Sequence, residues 1–321
     1  MAHIRVRRGW ELPEREAMPE SAFLNRREFI KKIGMGSIGG ASVLAGANQA
    51  LAWFTTLHIA SGVADLYPAK RNTKYVLDRP LTDERFATRY NNFYEFTTDK
   101  PRVADLVGNF KTHPWTVEVT GMVAKPKAFD IDELLRLFSL EERLYRHRCV
   151  EAWAMAVSWT GFPMKAFVDY VQPTSKAKFV RFVSFNKPDE APGIRTQSWY
   201  PWPYYEGLSL AEATNELAMV VTGIYGHALP KQNGAPIRVV VPWKYGYKSI
   251  KSIVKIEFTD QQPKTFWNDI APNEYGFLSN VDPKVPHPRW SQAYERMIID
   301  GERRPTLSYN GYGEFVAHLY A

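Results

Sequence analysis

The residue with the most informative chemistry is Cys149, the only cysteine among 321 residues. It lies in the stretch YRHRCVEAW, residues 145–153, between Arg148 and Val150 and close to His147 and Glu151. A single cysteine cannot form an internal disulfide. Three interpretations remain: a small buried apolar residue, a reactive nucleophile, or a thiolate ligand of a metal ion. Flanking cations favour the thiolate, and a metal bond would protect that thiolate from oxidation.

The surroundings of Cys149 narrow the choice of metal. Soft sulfur suits a thiophilic centre rather than magnesium or calcium. The nearest downstream histidine is His227, which argues against a blue-copper site, and the histidines are too scattered for structural zinc. No local signature of a cysteine protease is present. One protein thiolate is sufficient where a pterin cofactor supplies the other sulfur ligands of molybdenum. Glu151 would then relay protons or orient a water, the alternative being an ordinary surface carboxylate.

The sequence predicts more strands than helices, and these elements must position Cys149 and its neighbours. If residues 142–151 are extended, then His147, Cys149 and Glu151 share one face of a strand. Strands are predicted at 115–123, 142–150, 178–185, 236–241 and 252–259, helices at 130–138 and 163–171, and a helical turn at 208–214. The two kinds of element do not alternate regularly. The pattern therefore indicates an α+β fold with mixed sheets and surrounding helices rather than a doubly wound fold.

The first 52 residues read as an export signal. Arg26 and Arg27 are followed by Phe29, Lys31 and a weakly apolar Gly/Ala-rich segment that ends in Ala50-Leu51-Ala52. These features together resemble a twin-arginine signal peptide, with a cytoplasmic amphipathic helix or a retained anchor as the alternatives. The predicted domains are thus a signal peptide at 1–52 and one catalytic domain at 53–321. Because this route exports folded proteins, it favours a cofactor that is inserted in the cytoplasm.

Composition excludes several classes. The chain is 45% hydrophobic and 14% aromatic, so it can form a substantial core and is not a disordered or coiled-coil sequence. Its net charge is +7, of which the first 52 residues carry +3. No block of Lys and Arg is present that could follow a phosphate backbone, so we predict no binding to nucleic acid.

Several stretches together resemble the catalytic subunits of bacterial periplasmic protein-methionine-sulfoxide reductases (the MsrP type), which belong to the sulfite-oxidase-like molybdenum group. The resemblance covers essentially the whole chain. The matching stretches are YNNFYEF (90–96), RCVEAW (148–153), QNGAPIR (232–238), VPWKYG (241–246), KSIKSI (248–253) and HPRWSQA (287–293).

The resemblance implies a sulfite-oxidase-like molybdopterin-binding fold and a set of site residues. Cys149 would be the molybdenum ligand, beside the dithiolene of a mononucleotide-free molybdopterin. The implied cofactor-binding residues are Asn91, Tyr94 and Glu95 in a first loop, Asn233 and Arg238 in a second, Ser249, Ile250 and Lys251 in a third, and Ser184, where relatives often have Thr. Arg238 and Lys251 suit a phosphate, and an asparagine suits the edge of a pterin. Alone, such residues usually form solvated surfaces or turns.

The resemblance further implies a function. Methionine sulfoxide in periplasmic proteins would be reduced by oxygen-atom transfer, with electrons from a separate haem-bearing membrane subunit (the MsrQ type) and export through the twin-arginine (Tat) translocon. Substrates within whole proteins would require an open, shallow site. Trp243 and Tyr245 could line its mouth, the favoured alternative being that both pack in the aromatic core. Two alternatives remain: a sulfite dehydrogenase with the same cofactor, and an exported binding protein with an inert cysteine.

Overall fold

The computed structural model describes residues 63–321, to which all statements about structure refer. They form thirteen strands and eight short helices, joined by 3-10 turns and irregular chain. The strands are β1 (Lys70–Arg71), β2 (Thr116–Gly121), β3 (Lys127–Asp130), β4 (Glu141–Arg148), β5 (Trp153–Pro163), β6 (Phe179–Ser184), β7 (Tyr205–Ser209), β8 (Met219–Ile224), β9 (His227–Ala228), β10 (Arg238–Val240), β11 (Ile253–Thr259), β12 (Tyr294–Met297) and β13 (Arg303–Pro305). The helices are α1 (Glu84–Ala87), α2 (Val103–Leu106), α3 (Ile131–Arg136), α4 (Met164–Val171), α5 (Pro192–Thr196), α6 (Leu210–Ala213), α7 (Phe266–Ile270) and α8 (Gly313–Val316). None of these helices is long and apolar enough to cross a membrane.

Two mixed sheets organise the described residues. The larger has eight strands, with the path β1-β4-β5-β12-β13 and with β8 pairing β5, β9 and β10. The smaller has five strands in the order β3-β2-β11-β6-β7. Each sheet contains both parallel and antiparallel pairs, for example β11 with β2 and with β6. The predicted α+β class with mixed sheets is therefore confirmed.

Local sequence signals identified most of the half-buried elements. Strands β2 and β6 alternate buried and more exposed residues, as the predicted strands at 115–123 and 178–185 require. The helix predicted at 130–138 is α3, and the Asp130 side chain caps it by accepting from the backbone N–H groups of Asp132 and Glu133. The turn predicted at 208–214 was placed two residues early, because Leu208 and Ser209 belong to β7.

Two central strands carry no such signal. Every residue of β8 is buried, and every residue of β5 except Pro163. A strand that is covered on both faces does not alternate polar with apolar residues, so periodicity could not identify β5 or β8. The predicted export segment at 1–52 and the domain boundary that follows it lie outside the described residues.

Candidate functional site

Cys149 lies in the connection between the two longest strands. Strand β4 ends at Arg148 and β5 begins at Trp153. Between them, the N–H of Ala152 donates to the carbonyl of Cys149 over 3.0 Å, and the N–H of Cys149 donates to the carbonyl of Trp153 over 2.9 Å. Ala152 has a φ of 69°, a left-handed conformation that is strained for a residue with a Cβ. The strand predicted at 142–150 therefore ends two residues early, at Arg148, and a tight turn presents Cys149 instead.

The sulfur of Cys149 is buried and receives two hydrogen bonds. Asn92 Nδ2 lies 3.3 Å from Sγ, and the backbone N–H of Glu151 lies 3.4 Å from it. Burial, with the nearby Glu151 carboxylate, raises the pKa of the thiol to about 12. The nearby cations Lys100 and Arg148 lower the pKa of the thiol, as the sequence suggests, but burial outweighs them in the protein alone. The Arg148 guanidinium donates to Gln292 and to the Cys149 carbonyl. A bound metal cation would displace the thiol proton and leave both donors to the sulfur in place.

Cys149 faces a cavity of about 910 Å³, a volume that includes the cavity's open mouth. This cavity collects residues from seven separate parts of the chain. Among the residues predicted from the sequence, Asn91, Tyr94, Glu95, Cys149, Glu151, Asn233, Arg238, Ser249, Ile250 and Lys251 line it. His147 and Asn92 line it as well. Asn92 had no predicted role, and the available signal was its place in the matching stretch YNNFYEF, beside Asn91.

The remaining candidates lie outside the cavity wall. Ser184, at the end of β6, donates through Oγ to the carbonyl of Lys251 over 2.8 Å, so it supports the third loop from behind. Trp243 is fully buried and its indole N–H donates to the Tyr320 hydroxyl over 2.8 Å. Tyr245 packs under the Arg148 guanidinium. The two aromatic residues therefore belong to the core and do not form the mouth of the cavity.

Two cations, Arg238 and Lys251, line the cavity, and Arg238 is buried without a carboxylate partner. Arg238 is 2% exposed and donates to the carbonyls of Asn233 and Ser249 over 2.9 and 3.1 Å. No carboxylate of the described residues lies within 4.0 Å of it, and burial lowers the pKa of its guanidinium to about 9. Burial likewise lowers the pKa of Lys251, whose ammonium donates to the Asn92 carbonyl over 2.8 Å. An uncompensated buried cation such as Arg238 is costly, and a bound phosphate would offset that cost.

The same cavity contains buried polar atoms that lack partners. Asn91 Nδ2, Asn92 Oδ1 and Asn233 Oδ1 have no hydrogen-bond partner among residues 63–321. Such orphaned atoms are uncommon in folded proteins and indicate a missing ligand or ordered water. One amide donor and two amide acceptors match the mixed donors and acceptors on the edge of a pterin. The side chains of the cavity therefore fit molybdopterin at both its polar ring edge and its phosphate.

The part of the cavity near Cys149 also contains a carboxylate. Glu151 Oε2 lies 2.9 Å from the ammonium of Lys100 and 3.3 Å from the indole nitrogen of Trp153. The Glu151 side chain is 30% exposed, so its carboxylate can exchange protons with solvent. Among the described residues, no group of three or more His, Cys, Asp and Glu is positioned to hold a metal ion.

Comparison with known proteins identifies the family. A family model described as "Oxidoreductase molybdopterin binding domain" matches residues 104–267. The chain is also 49% identical over 317 residues to the protein-methionine-sulfoxide reductase catalytic subunit MsrP of Burkholderia mallei, covering 97% of this chain and 94% of that protein. The chain belongs to the molybdopterin-binding oxidoreductases.

Within these oxidoreductases, the identity to MsrP assigns the chain to the family of protein-methionine-sulfoxide reductase catalytic subunits. The predicted family, enzyme class and sulfite-oxidase-like molybdopterin-binding fold are confirmed. Among solved structures, the chain is similar to the sulfane dehydrogenase SoxCD from Paracoccus pantotrophus, with a TM-score of 0.41, 15% identity, and coverage of 62% of this chain and 46% of that one.

Proposed function

We propose that this molybdopterin-binding oxidoreductase reduces methionine sulfoxide in periplasmic proteins. The observation that carries the proposal is the single buried sulfur of Cys149 at the wall of a cavity that also holds the unpaired buried Arg238 and buried polar atoms without partners. The similarity to MsrP over nearly the whole chain supports the sulfoxide as the substrate.

In this proposal, Cys149 is the protein ligand of molybdenum. Asn91, Tyr94, Glu95 and Asn233 surround the pterin, Arg238 and Lys251 pair with its phosphate, and backbone groups of Ser249 and Ile250 complete the anion site. Ser184 acts through the third loop, since its hydroxyl bonds to the Lys251 carbonyl. Because Arg238 is buried, a phosphate bound to it would be buried too. This supports the form of the cofactor that carries no nucleotide.

When bound, the molybdenum centre supplies two-electron oxygen-atom transfer. Reduction of one sulfoxide to a thioether and water consumes two electrons and two protons. The Glu151 carboxylate, held by Lys100 and Trp153, lies beside the turn of Cys149 and is partly exposed, so we assign it the transfer of protons from solvent. The partly exposed aromatic rings of Tyr94 and Trp267, with their centroids 5.3 Å apart, offer an apolar surface suited to a thioether.

The electrons come, in this proposal, from a separate haem-containing membrane subunit of the MsrQ type. The relative's designation as a catalytic subunit supports a partner of some kind. Export of the folded catalytic domain at 53–321 by the Tat translocon, directed by the signal peptide at 1–52, would place both proteins at the same membrane. Contacts that transfer electrons are usually small and transient, so we expect weak binding.

The test compares two reactions of the molybdenum-loaded protein. With a reduced dye as the electron donor, we expect the enzyme to reduce methionine sulfoxide in an oxidised substrate protein. Mass spectrometry of the substrate protein measures this as the loss of the added oxygen. Sulfite oxidation is assayed in parallel with an oxidised dye. Sulfite oxidation without sulfoxide reduction would identify a sulfite dehydrogenase, and neither activity in a fully loaded sample would favour a binding protein.

A further inference from the structure

One of the distinctive stretches of the sequence, HPRWSQA at 287–293, has no part in the site as described so far. It precedes β12 and forms an isolated bridge between His287 and Trp290. Its contacts lead to the turn that carries Cys149, about 140 residues earlier in the chain. The contacts of this stretch therefore bear on the geometry of the sulfur.

Two side chains of the stretch bond to a single acceptor. The indole N–H of Trp290 donates to the carbonyl of Val150 over 2.8 Å, and Gln292 Nε2 donates to the same oxygen over 2.7 Å. A carbonyl oxygen has two lone pairs, so both bonds form at once. Val150 lies between Cys149 and Glu151, and the two donors thus hold the middle of the turn.

Gln292 also binds the residue on the other side of Cys149. Its Oε1 accepts from the Arg148 guanidinium over 2.7 Å, and that guanidinium donates to the Cys149 carbonyl. Both side chains are at most 1% exposed, and Arg148 lies 3.5 Å from the carboxylate of Glu295. The carbonyls of Cys149 and Val150, which are consecutive in the turn, are thereby held by side-chain donors that are connected to one another through Gln292.

The indole of Trp290 is itself held in place. The His287 ring stacks on it with a centroid distance of 3.8 Å and an interplanar angle of 8°. The imidazole is fixed in turn, because the backbone N–H of Arg289 donates to its Nδ1 over 3.2 Å. The direction of the indole N–H is therefore determined by the stretch and not by the turn that it binds.

We propose that Trp290 and Gln292 are positioning residues that keep the 149–152 turn closed and so direct the Cys149 sulfur into the cavity. The turn needs such support because Ala152 has a left-handed φ, a strain that opening would relieve. The proposal rests on the proposed role of Cys149 as a ligand. It assigns to Trp290 and Gln292, about 140 positions later in the chain, an effect on the geometry of the Cys149 sulfur.

The test measures how fast the only cysteine is alkylated in the full-length, cofactor-free chain. The variants are Trp290→Phe, which keeps the stacked ring but removes the donor, Gln292→Met, and the double variant. The matched control is Trp115→Phe, which removes an indole bond of 2.8 Å to the Ile253 carbonyl in the other sheet. Iodoacetamide is the probe, and modification of Cys149 is followed by mass spectrometry at a fixed pH.

At about 1 kcal/mol for each hydrogen bond lost, we expect Trp290→Phe, which removes one bond, to raise the alkylation rate about fivefold. Gln292→Met, which removes two, should raise it about 30-fold, and the double variant about 150-fold. The control should stay within twofold of the unaltered chain, even though its unfolding temperature falls. Rates unchanged in both single variants, or an equal rise in the control, would overturn the proposal. The single variants keep the test decisive if the double variant does not fold.

A second measurement uses the molybdenum-loaded protein. The double variant should shift the electron paramagnetic resonance spectrum of the metal, because the angle of the sulfur changes, whereas Trp115→Phe should leave it unaltered. Identical spectra for all proteins would contradict the proposal. Neither measurement depends on which substrate is reduced, so a failure of the proposed sulfoxide reduction would leave both results interpretable.

Discussion

Replacing Arg238 by Met should weaken retention of the cofactor while changing the stability of the cofactor-free chain very little. The guanidinium of Arg238 is 2% exposed and has no carboxylate partner among the described residues. An ordinary buried arginine that lost its charge would destabilise the fold. Arg238 differs because its charge is unfavourable until an anion is bound.

The magnitude follows from the pKa. Burial lowers the pKa of Arg238 from its ordinary 12.5 to about 9, which corresponds to a charge penalty of roughly 5 kcal/mol at neutral pH. The variant removes this penalty, but it leaves the carbonyls of Asn233 and Ser249 without that donor, at about 1–3 kcal/mol each. These two effects nearly cancel in the cofactor-free chain. In the loaded protein, loss of a charged bond to phosphate costs about 1.5–3 kcal/mol, or roughly 10- to 150-fold in affinity.

The assay is molybdenum per chain after extended dialysis, with denaturant unfolding of the cofactor-free proteins. The matched control is Arg143→Met, because Arg143 is 3% exposed but is paired with Glu141 and donates to the Tyr145 hydroxyl, away from the cavity. The control should unfold more easily yet keep its molybdenum. The reasoning is refuted if the Arg238 variant retains molybdenum like the unaltered protein, or if its cofactor-free form is destabilised as much as the control.

Two further predictions concern the same cavity. Burial raises the pKa of Glu95 above its ordinary 4.5, so the stability that its neutral form contributes is complete below pH 4.5 and is lost as the pH rises through the raised value. In the Glu95→Gln variant, the free energy of unfolding of the cofactor-free chain should therefore fall less between pH 4.5 and 7.5 than in the unaltered chain. Equal falls in the two proteins would contradict this prediction. Gly234 has a φ of 97°, and an added Cβ would lie 2.7 Å from the Cβ of Lys251. Gly234→Ala should therefore lower the free energy of unfolding by about 1–3 kcal/mol and reduce the molybdenum content per chain. Unchanged values of both quantities would show that the loop adapts to the added methyl group.

The sequence predicted the elements whose burial alternates, and it missed those whose burial does not. Strands β2 and β6 and the Asp130 cap were readable because one face of each element meets solvent. Strand β5 was not, since almost every side chain in it is buried. The turn at Cys149 carries no glycine, proline or asparagine, and its left-handed residue is Ala152. Local propensity could not indicate where β4 ends.

The residues of the site were predictable only in part, for a related reason. Resemblance to a family brought Asn91, Asn233 and Lys251 together, and all three line the cavity. The direction of a side chain was not readable in the same way. Arg148 adjoins the cysteine in sequence, yet its guanidinium turns to Gln292, 144 positions later in the chain. Such contacts depend on the packing of β12 against β5, which short-range patterns do not report.

The central claim is that Cys149 binds molybdenum, and X-ray absorption at the molybdenum edge tests it most directly. The measurement compares the loaded protein with Cys149→Ser, each produced with a working cofactor pathway. We predict close to one molybdenum per chain, one fewer sulfur neighbour in the variant, and loss of turnover with much of the fold retained. A protein free of molybdenum, or a variant with the same number of sulfur neighbours, would contradict the account.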